Sequence, residues 1–244
     1  MQALTKGRYA ARLAEDAGDL ARALALRHRR FRAGRGRTAR TSDADAFDPA
    51  CRHMLISDTG TGELLCCYRV MTFARGADLS RGYAAQFYDL TPLSAITAPV
   101  IELGRFCLHP DHNDPDILRL AWAALTRLVD AAGAVLLFGC SSFDGADPAA
   151  HSAALGHLAR HHLGPASQRP VARDMAVALA PFATRAVDRP ALPPLLRSYL
   201  AMGGWVSDHA VSDHDLDTLH VFTALPIAAI PPGRAAALRA LATS

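Results

Sequence analysis

An acidic residue in the middle of an apolar extended run constrains this chain more than any other feature. The run is Val100-Ile101-Glu102-Leu103-Gly104-Arg105-Phe106-Cys107-Leu108, and Glu102 is one of only three glutamates against 20 aspartates. Its composition predicts a strand near the centre of a sheet. A carboxylate buried there costs several kcal/mol unless it is paired. In a regular strand Glu102 and Arg105, three apart, face opposite sides. A bulge at Gly104 inserts one residue and resets the alternation, which brings both onto one face. It also leaves a backbone N–H unpaired, available to a carbonyl oxygen. An acid, a base and a spare amide together suggest acyl transfer to an amine. The alternative is a structural ion pair in a central strand.

Length and composition set the frame for that strand. With 244 residues, half of them hydrophobic and 20% charged, the chain can bury one large domain or a domain with an appendage. No apolar stretch approaches the ~18 residues needed to cross a bilayer, and the N-terminus shows no secretory signal. Cys51, Cys66, Cys67, Cys107 and Cys140 lack a CxxC spacing and fall in or beside apolar strand-like segments. Buried thiols in a cytoplasmic protein are therefore expected, without disulfides or zinc.

Net charge is only +3, but eight arginines and no acid lie between Arg22 and Arg40. Such a run implies an anionic partner: nucleic acid, an anionic membrane or an acidic protein. The alternative is a solvated helix face followed by a loop. No aromatic platform or zinc-finger spacing accompanies the arginines, so no nucleic-acid partner is expected.

Helical spacing of Leu20, Leu24 and Phe31 predicts a helix from Asp19 to about Arg32, capped by Asp19. A loop with Asp43, Asp45 and Asp48 follows. Cys51 to Asp58 and Leu64 to Phe73 read as strands of a hairpin turned by Thr59-Gly60-Thr61-Gly62. Arg69 sits on the core side of the second strand and needs an acid partner. A short helix near Ala84 to Tyr88 precedes the Glu102 strand. Pro115 to Ala131 is the clearest helix, with Asp114 as N-cap and Gly133 just past its end. Ala134 to Cys140 is a strand, Pro148 to His162 a helix, and Leu192-Pro193-Pro194 opens a helix through Leu200. Strands near Trp205 to Val211 and Thr218 to Leu225 follow, then a helix from Pro231. This order predicts an α+β, three-layer α/β/α fold with a mixed sheet.

Two His-x4-Asp matches, His53 to Asp58 and His109 to Asp114, resemble the dyad of glycerophosphate acyltransferases. The first spans a strand, where residues five apart face opposite sides. The second is expected by chance with 11 histidines and 20 aspartates. His157 and His161 share a helix face but have no glutamate beside them. The cluster from Asp208 to His220 mixes hard and soft ligands without a known spacing. No metal is expected.

Taken in order, Leu26-Arg27-His28-Arg29-Arg30-Phe31, Asp45-Ala46-Phe47-Asp48, the hairpin ending in Arg69, and Glu102-Leu103-Gly104-Arg105-Phe106 resemble the N-acyltransferases related to acyl-homoserine-lactone synthases. His109-Pro110, Leu137 through Phe143, and Leu192-Pro193-Pro194 through Leu200 are similar to the hemolysin-like ornithine-lipid acyltransferases. The resemblance covers nearly the whole chain. It implies a GNAT-like, mostly antiparallel sheet with a bulged central strand. A core over residues 1–185 and a C-terminal helix and strand extension over 186–244 are expected. It implies transfer of a 3-hydroxyacyl chain from acyl carrier protein to the α-amine of ornithine, giving lyso-ornithine lipid.

Within that reaction the resemblance assigns roles. Glu102 is the expected base, directly or through water, and the backbone from Gly104 to Phe106 polarises the thioester carbonyl. Asp45, Asp48, Arg69 and Arg105 form the charged network that positions base and amino acid, with Arg69 or Arg105 also suited to the substrate carboxylate. Ser141 and Ser142 are placed to meet the phosphopantetheine arm, or else form a strand-ending turn. His53 supports the site from behind or is simply a buried histidine. CoA-dependent relatives carry phosphate-cradling glycines after the bulged strand; here that stretch reads His109-Pro110-Asp111-His112-Asn113-Asp114. The expected donor is therefore carrier-bound acyl thioester with no other cofactor, docked on Arg27, Arg30, Arg32 and Arg35. His220 stands where the family carries an acid, which makes glutamine the alternative acceptor. A homoserine-lactone-type synthase and an inactive carrier- or membrane-binding module are the other readings. The expected setting is the cytoplasm, with peripheral contact at the inner face of the inner membrane.

Overall fold

Turn chemistry and strand composition produce the hairpins where the sequence places them. A computed structural model describes residues 2–33, 36 and 40–243. In chain order the elements are β1 (Leu4–Lys6), β2 (Tyr9–Leu13), α1 (Ala17–Phe31), β3 (Arg52–Asp58), β4 (Leu64–Phe73), β5 (Tyr88–Asp89) and β6 (Val100–Leu108). There follow α2 (Pro115–Ala132), β7 (Leu136–Asp144), α3 (Ser152–His161), β8 (Val171–Ala172), β9 (Ala176–Ala178), α4 (Pro194–Ala201), β10 (Trp205–Asp213), β11 (Thr218–Pro226) and α5 (Pro232–Thr243).

The chain folds as two compact units that interleave along the sequence. The first comprises Met1–Thr72, Leu103–Gly133 and Pro232–Ser244; the second comprises Phe73–Glu102 and Ala134–Pro231. This differs from a boundary at residue 185, because α5 belongs to the first unit while β10 and β11 belong to the second.

In the first unit the strands run in the order β1-β2-β3-β4-β6. Gly7, with φ +56, makes the tight turn between β1 and β2, an N-terminal hairpin too short to register in the hydrophobic pattern. Asp16, one turn before the expected cap, caps α1 by accepting from the Asp19 N–H. Asp19 is instead buried and bonded to Arg12. Ala23 and Leu26 of α1 pack with Leu55, Cys67 and Cys107 of β3, β4 and β6. On the other side Tyr68 stacks on Phe106 and donates to the Ala121 carbonyl of α2. Helix α2 begins and ends as predicted, at the Asp114 cap and at Gly133 with φ +60. Helix α5 lies against α2, clamped by two Arg239 hydrogen bonds to Asp130.

In the second unit the order is β6-β7-β11-β10-β9, with β6 and β7 parallel over Val100–Glu102 and the remaining pairs antiparallel. β7 extends to Asp144, four residues beyond the predicted end, because all nine of its residues pair with β11. Phe143, Leu155, Leu158, Leu196, Val206 and Val221 form the core beneath α3 and α4. Each of the five cysteines is a free thiol. No helix among the described residues is long and apolar enough to cross a membrane.

Candidate active site

Seven charged side chains converge on the α1 side of the first unit. Residues 53 and 69 are partners across the β3–β4 ladder, so His53 and Arg69 share the face that α1 covers. Arg27, one turn beyond Ala23, points at the same place. There Arg27 donates from Nε to Asp43 Oδ2 (2.9 Å), from Nη1 to Asp48 Oδ1 (2.6 Å) and from Nη2 to the Asp43 carbonyl (2.6 Å). Arg69 Nη1 donates to Asp45 Oδ1 and Asp48 Oδ1, each at 2.5 Å, and its Nη2 donates to Asp45 Oδ2 at 2.8 Å. Arg105 bonds Asp43 from Nε (3.0 Å) and Asp45 from Nη2 (3.2 Å), while Arg32 Nε reaches Asp43 Oδ1 at 3.0 Å. Asp43 is the hub, with 0% of its surface exposed. Among the described residues four guanidiniums thus face three carboxylates, one positive charge in excess.

The electrostatics follow from this packing. Burial pushes the Asp48 carboxyl up, but bonds from Arg27 and the Asp45 N–H, with the charges of Arg27 and Arg69, pull it down to about 2. The same contest, won by Arg69 and Arg105, lowers Asp45. Burial lowers His53, whose Nε2 lies 3.1 Å from the Asp48 carbonyl and donates to it. Phe47 covers the Arg69 guanidinium at 5.9 Å from the ring centre.

β6 departs from regular strand backbone at Arg105, beside the Gly104 where a bulge was predicted. Arg105, not Gly104, takes a positive φ of 51°. A side chain in that left-handed region costs about 1–2 kcal/mol, which the bonds to Asp43 and Asp45 offset. Gly104 has an ordinary φ, and a Cβ there would lie 3.5 Å from Arg69 Nε, an ordinary van der Waals contact.

Glu102 lies in the second unit. It is 4% exposed, and both its oxygens accept backbone hydrogen bonds, Oε2 from Tyr83 N–H at 2.8 Å and Oε1 from Ala84 N–H at 2.6 Å. The carboxylate therefore holds the start of a short 3-10 turn, Ala84–Gln86. Gly82 permits the approach, since a Cβ there would meet Glu102 Oε2 at 2.7 Å. Farther along the same covering segment, Tyr88 is fully buried and its hydroxyl donates to the His220 carbonyl (3.0 Å) and lies 2.9 Å from His220 Nδ1. Phe87 meets the His220 ring edge-on at 4.8 Å between centres.

Several sequence assignments change. Arg27 and Arg32 are 1% and 3% exposed and spend their donors inside the network, so neither forms a docking surface. Arg30 is half-buried, and Arg35 lies outside the described residues. Ser141 and Ser142 face opposite sides of β7. Ser141 pairs with Val221 and is buried on the Phe143 side, whereas Ser142 pairs with His220 and is exposed. One substrate arm cannot meet both side chains. Phe106 is half-buried against Tyr68. Sequence reasoning missed Asp43, although an arginine-rich helix beside a three-aspartate loop was the available signal.

Residues 26–123 match the family described as "Acetyltransferase (GNAT) domain". The fold resembles FeeM, an N-acyl amino acid synthase from uncultured soil microbes, with a TM-score of 0.54 at 9% identity, covering 91% of this chain and 94% of that one. It also resembles TofI, with a TM-score of 0.51 at 16% identity, covering 96% of this chain and 99% of that one. The fold is therefore of the GNAT type.

Sequence relatives narrow the class. The chain is 36% identical to the L-ornithine N(alpha)-acyltransferase of Rhodobacter capsulatus over 87% of its own length and 88% of that protein. It is 30% identical to the Rhizobium meliloti protein of the same name, covering 90% of this chain and 80% of the relative. The chain belongs to the L-ornithine N(alpha)-acyltransferase family.

Proposed function

We propose that the protein transfers a 3-hydroxyacyl chain from acyl carrier protein to the α-amine of ornithine, giving lyso-ornithine lipid. The observation that carries this reading is the end-to-end similarity to relatives that bear the ornithine acyltransferase name. The chemistry is compatible with the residues present. A thioester is already activated, so the protein must take the amine proton, hold the amine in line and stabilise the oxyanion. Glu102 is the proposed proton acceptor, held in place by the Tyr83 and Ala84 amides. Arg69 and Arg105 are proposed to hold the amino-acid carboxylate, consistent with the excess positive charge of the network. Asp45 and Asp48, with His53 behind them, orient those guanidiniums. The amides from Gly104 to Phe106 are the proposed carbonyl donors, and Ser142 is proposed to meet the phosphopantetheine arm. The acidic carrier is proposed to approach Arg30, the surface-reaching member of its set among the described residues. No further cofactor is required by this scheme. Release of the lipid product points to peripheral contact at the inner face of the inner membrane.

Glutamine is the alternative acceptor, proposed because His220 stands where the family resemblance places an acid. Expression in a bacterium lacking aminolipids, followed by lipid mass spectrometry, separates the two by head-group fragment. The expected product is the lyso-ornithine lipid. Loss of that product in Glu102→Gln, with carrier binding retained, is the result that supports the proton-acceptor role. Unchanged turnover in that variant removes it, and a glutamine fragment in the native strain redirects the acceptor assignment.

A further inference from the structure

Outside the charged network, a second polar cluster joins the end of the β3–β4 hairpin to the loop between β6 and α2. Its members are Glu63, His109 and His112, all in the first unit. Glu63 Oε1 lies 3.5 Å from His109 Nε2, and Oε2 lies 3.3 Å from His112 Nε2. All three potential ligand atoms fall within 4.8 Å of one another. Among the described residues this is the one group of three or more His, Cys, Asp or Glu side chains so disposed. Tetrahedral ligands about 2.0–2.1 Å from a zinc ion stand about 3.3 Å apart. Each carboxylate-to-imidazole spacing is close to that edge length, through a different oxygen of Glu63, so a turn of that exposed carboxylate brings one oxygen toward both imidazoles.

The backbone holds this arrangement independently of the side chains. His109 N–H donates to the Leu65 carbonyl at 2.7 Å, and His112 N–H donates to the His109 carbonyl at 3.2 Å. One turn therefore carries both imidazoles. The Glu63 carbonyl accepts from the Asp58 N–H at 3.0 Å, which closes the hairpin at its own end. His109 is buried while Glu63 and His112 reach solvent, so an ion has a path in and an open position for water.

We propose that Glu63, His109 and His112 form a site for a divalent cation of the zinc class, tying the hairpin to the loop before α2. Two imidazole nitrogens and one carboxylate oxygen suit such a borderline ion better than calcium or magnesium. Arg29 is the competitor. Its Nη1 lies 2.8 Å from His109 Nε2, on the lone pair an ion would take, while its Nη2 bonds Asp111 Oδ2 at 2.7 Å. The Arg29 side chain is half-exposed, so Nη1 can swing away while the bond to Asp111 keeps the guanidinium neutralised. Metal and Arg29 therefore exclude each other at His109.

The test is zinc titration of the purified, untagged full chain, read by calorimetry and by competition with a chromogenic chelator. The expected result is one equivalent bound. Affinity should fall at least about tenfold in His112→Ala and in Glu63→Ala, as expected when a ligand is removed. It should rise in Arg29→Ala. His157→Ala/His161→Ala, at a separate surface group of histidines, should leave the affinity unchanged. Absence of stoichiometric binding, or binding lost in the His157/His161 variant and retained in His112→Ala, overturns the proposal. His112 and Glu63 are both partly exposed, so their alanine variants are expected to fold; circular dichroism confirms this alongside each titration.

Discussion

Asp43 and Glu102 are both carboxylates shut away from solvent, yet their partners differ in kind. Asp43 accepts from Arg27, Arg32 and Arg105, three full positive charges. Glu102 accepts from the peptide groups of Tyr83 and Ala84, which carry only dipoles. The first solution makes every member dependent on every other, because removing one acid strands several buried cations. The second uses peptide dipoles to fix the path of a segment. Rigid placement of charge and rigid placement of chain are thus assigned to different residues.

Breaking the Asp43 hub should have the largest effect. Asp43→Ala leaves three guanidiniums without their shared acceptor, and a loss of about 3–5 kcal/mol is expected, read as a lower urea midpoint. A loss below about 1 kcal/mol would show that the arginines find solvent easily and that the hub is not tightly buried. Next comes acid. Asp48 titrates near 2 in the folded protein, below the ordinary value of 3.8. Its contribution is therefore present above pH ~4 and lost as pH falls from there toward 2, on the order of 2 kcal/mol at most. Unfolding curves collected across that window should show Asp48→Asn with a flatter pH dependence than the native chain. The smallest effect concerns Arg105. Both Arg105→Ala and Arg105→Gly lose the bonds to Asp43 and Asp45, but only glycine relieves the positive φ. Arg105→Gly should exceed Arg105→Ala in stability by about 1 kcal/mol; equal midpoints would show that the left-handed backbone carries no strain.

Much of the fold is legible in the sequence, for identifiable reasons. Helix α2 announces both ends through Asp114, Pro115 and Gly133, and the β3–β4 hairpin announces its turn. Arg69 is recognisable as core-facing and in need of an acid, which Asp45 and Asp48 supply. The N-terminal hairpin escapes notice because strands of three and five residues carry too little pattern. Propensity places the β6 kink on Gly104, whereas ion pairs to Asp43 and Asp45 hold Arg105 in the strained conformation. Arg27 and Arg32 read as surface charge because burial of an arginine depends on acids 11 to 21 residues away, beyond any local window. The Tyr83 and Ala84 amides carry no side-chain signature at all.

The placement of α5 has a consequence for biosynthesis. The helix that packs on α2 in the first unit is synthesised after the second unit's longer stretch, Ala134–Pro231, which lies between them. During translation β1 to β4, α1 and α2 emerge early but wait with one flank of α2 uncovered until α5 leaves the ribosome. Truncation before Pro232 is then equivalent to arresting the nascent chain at that stage, with the flank that α5 covers left open.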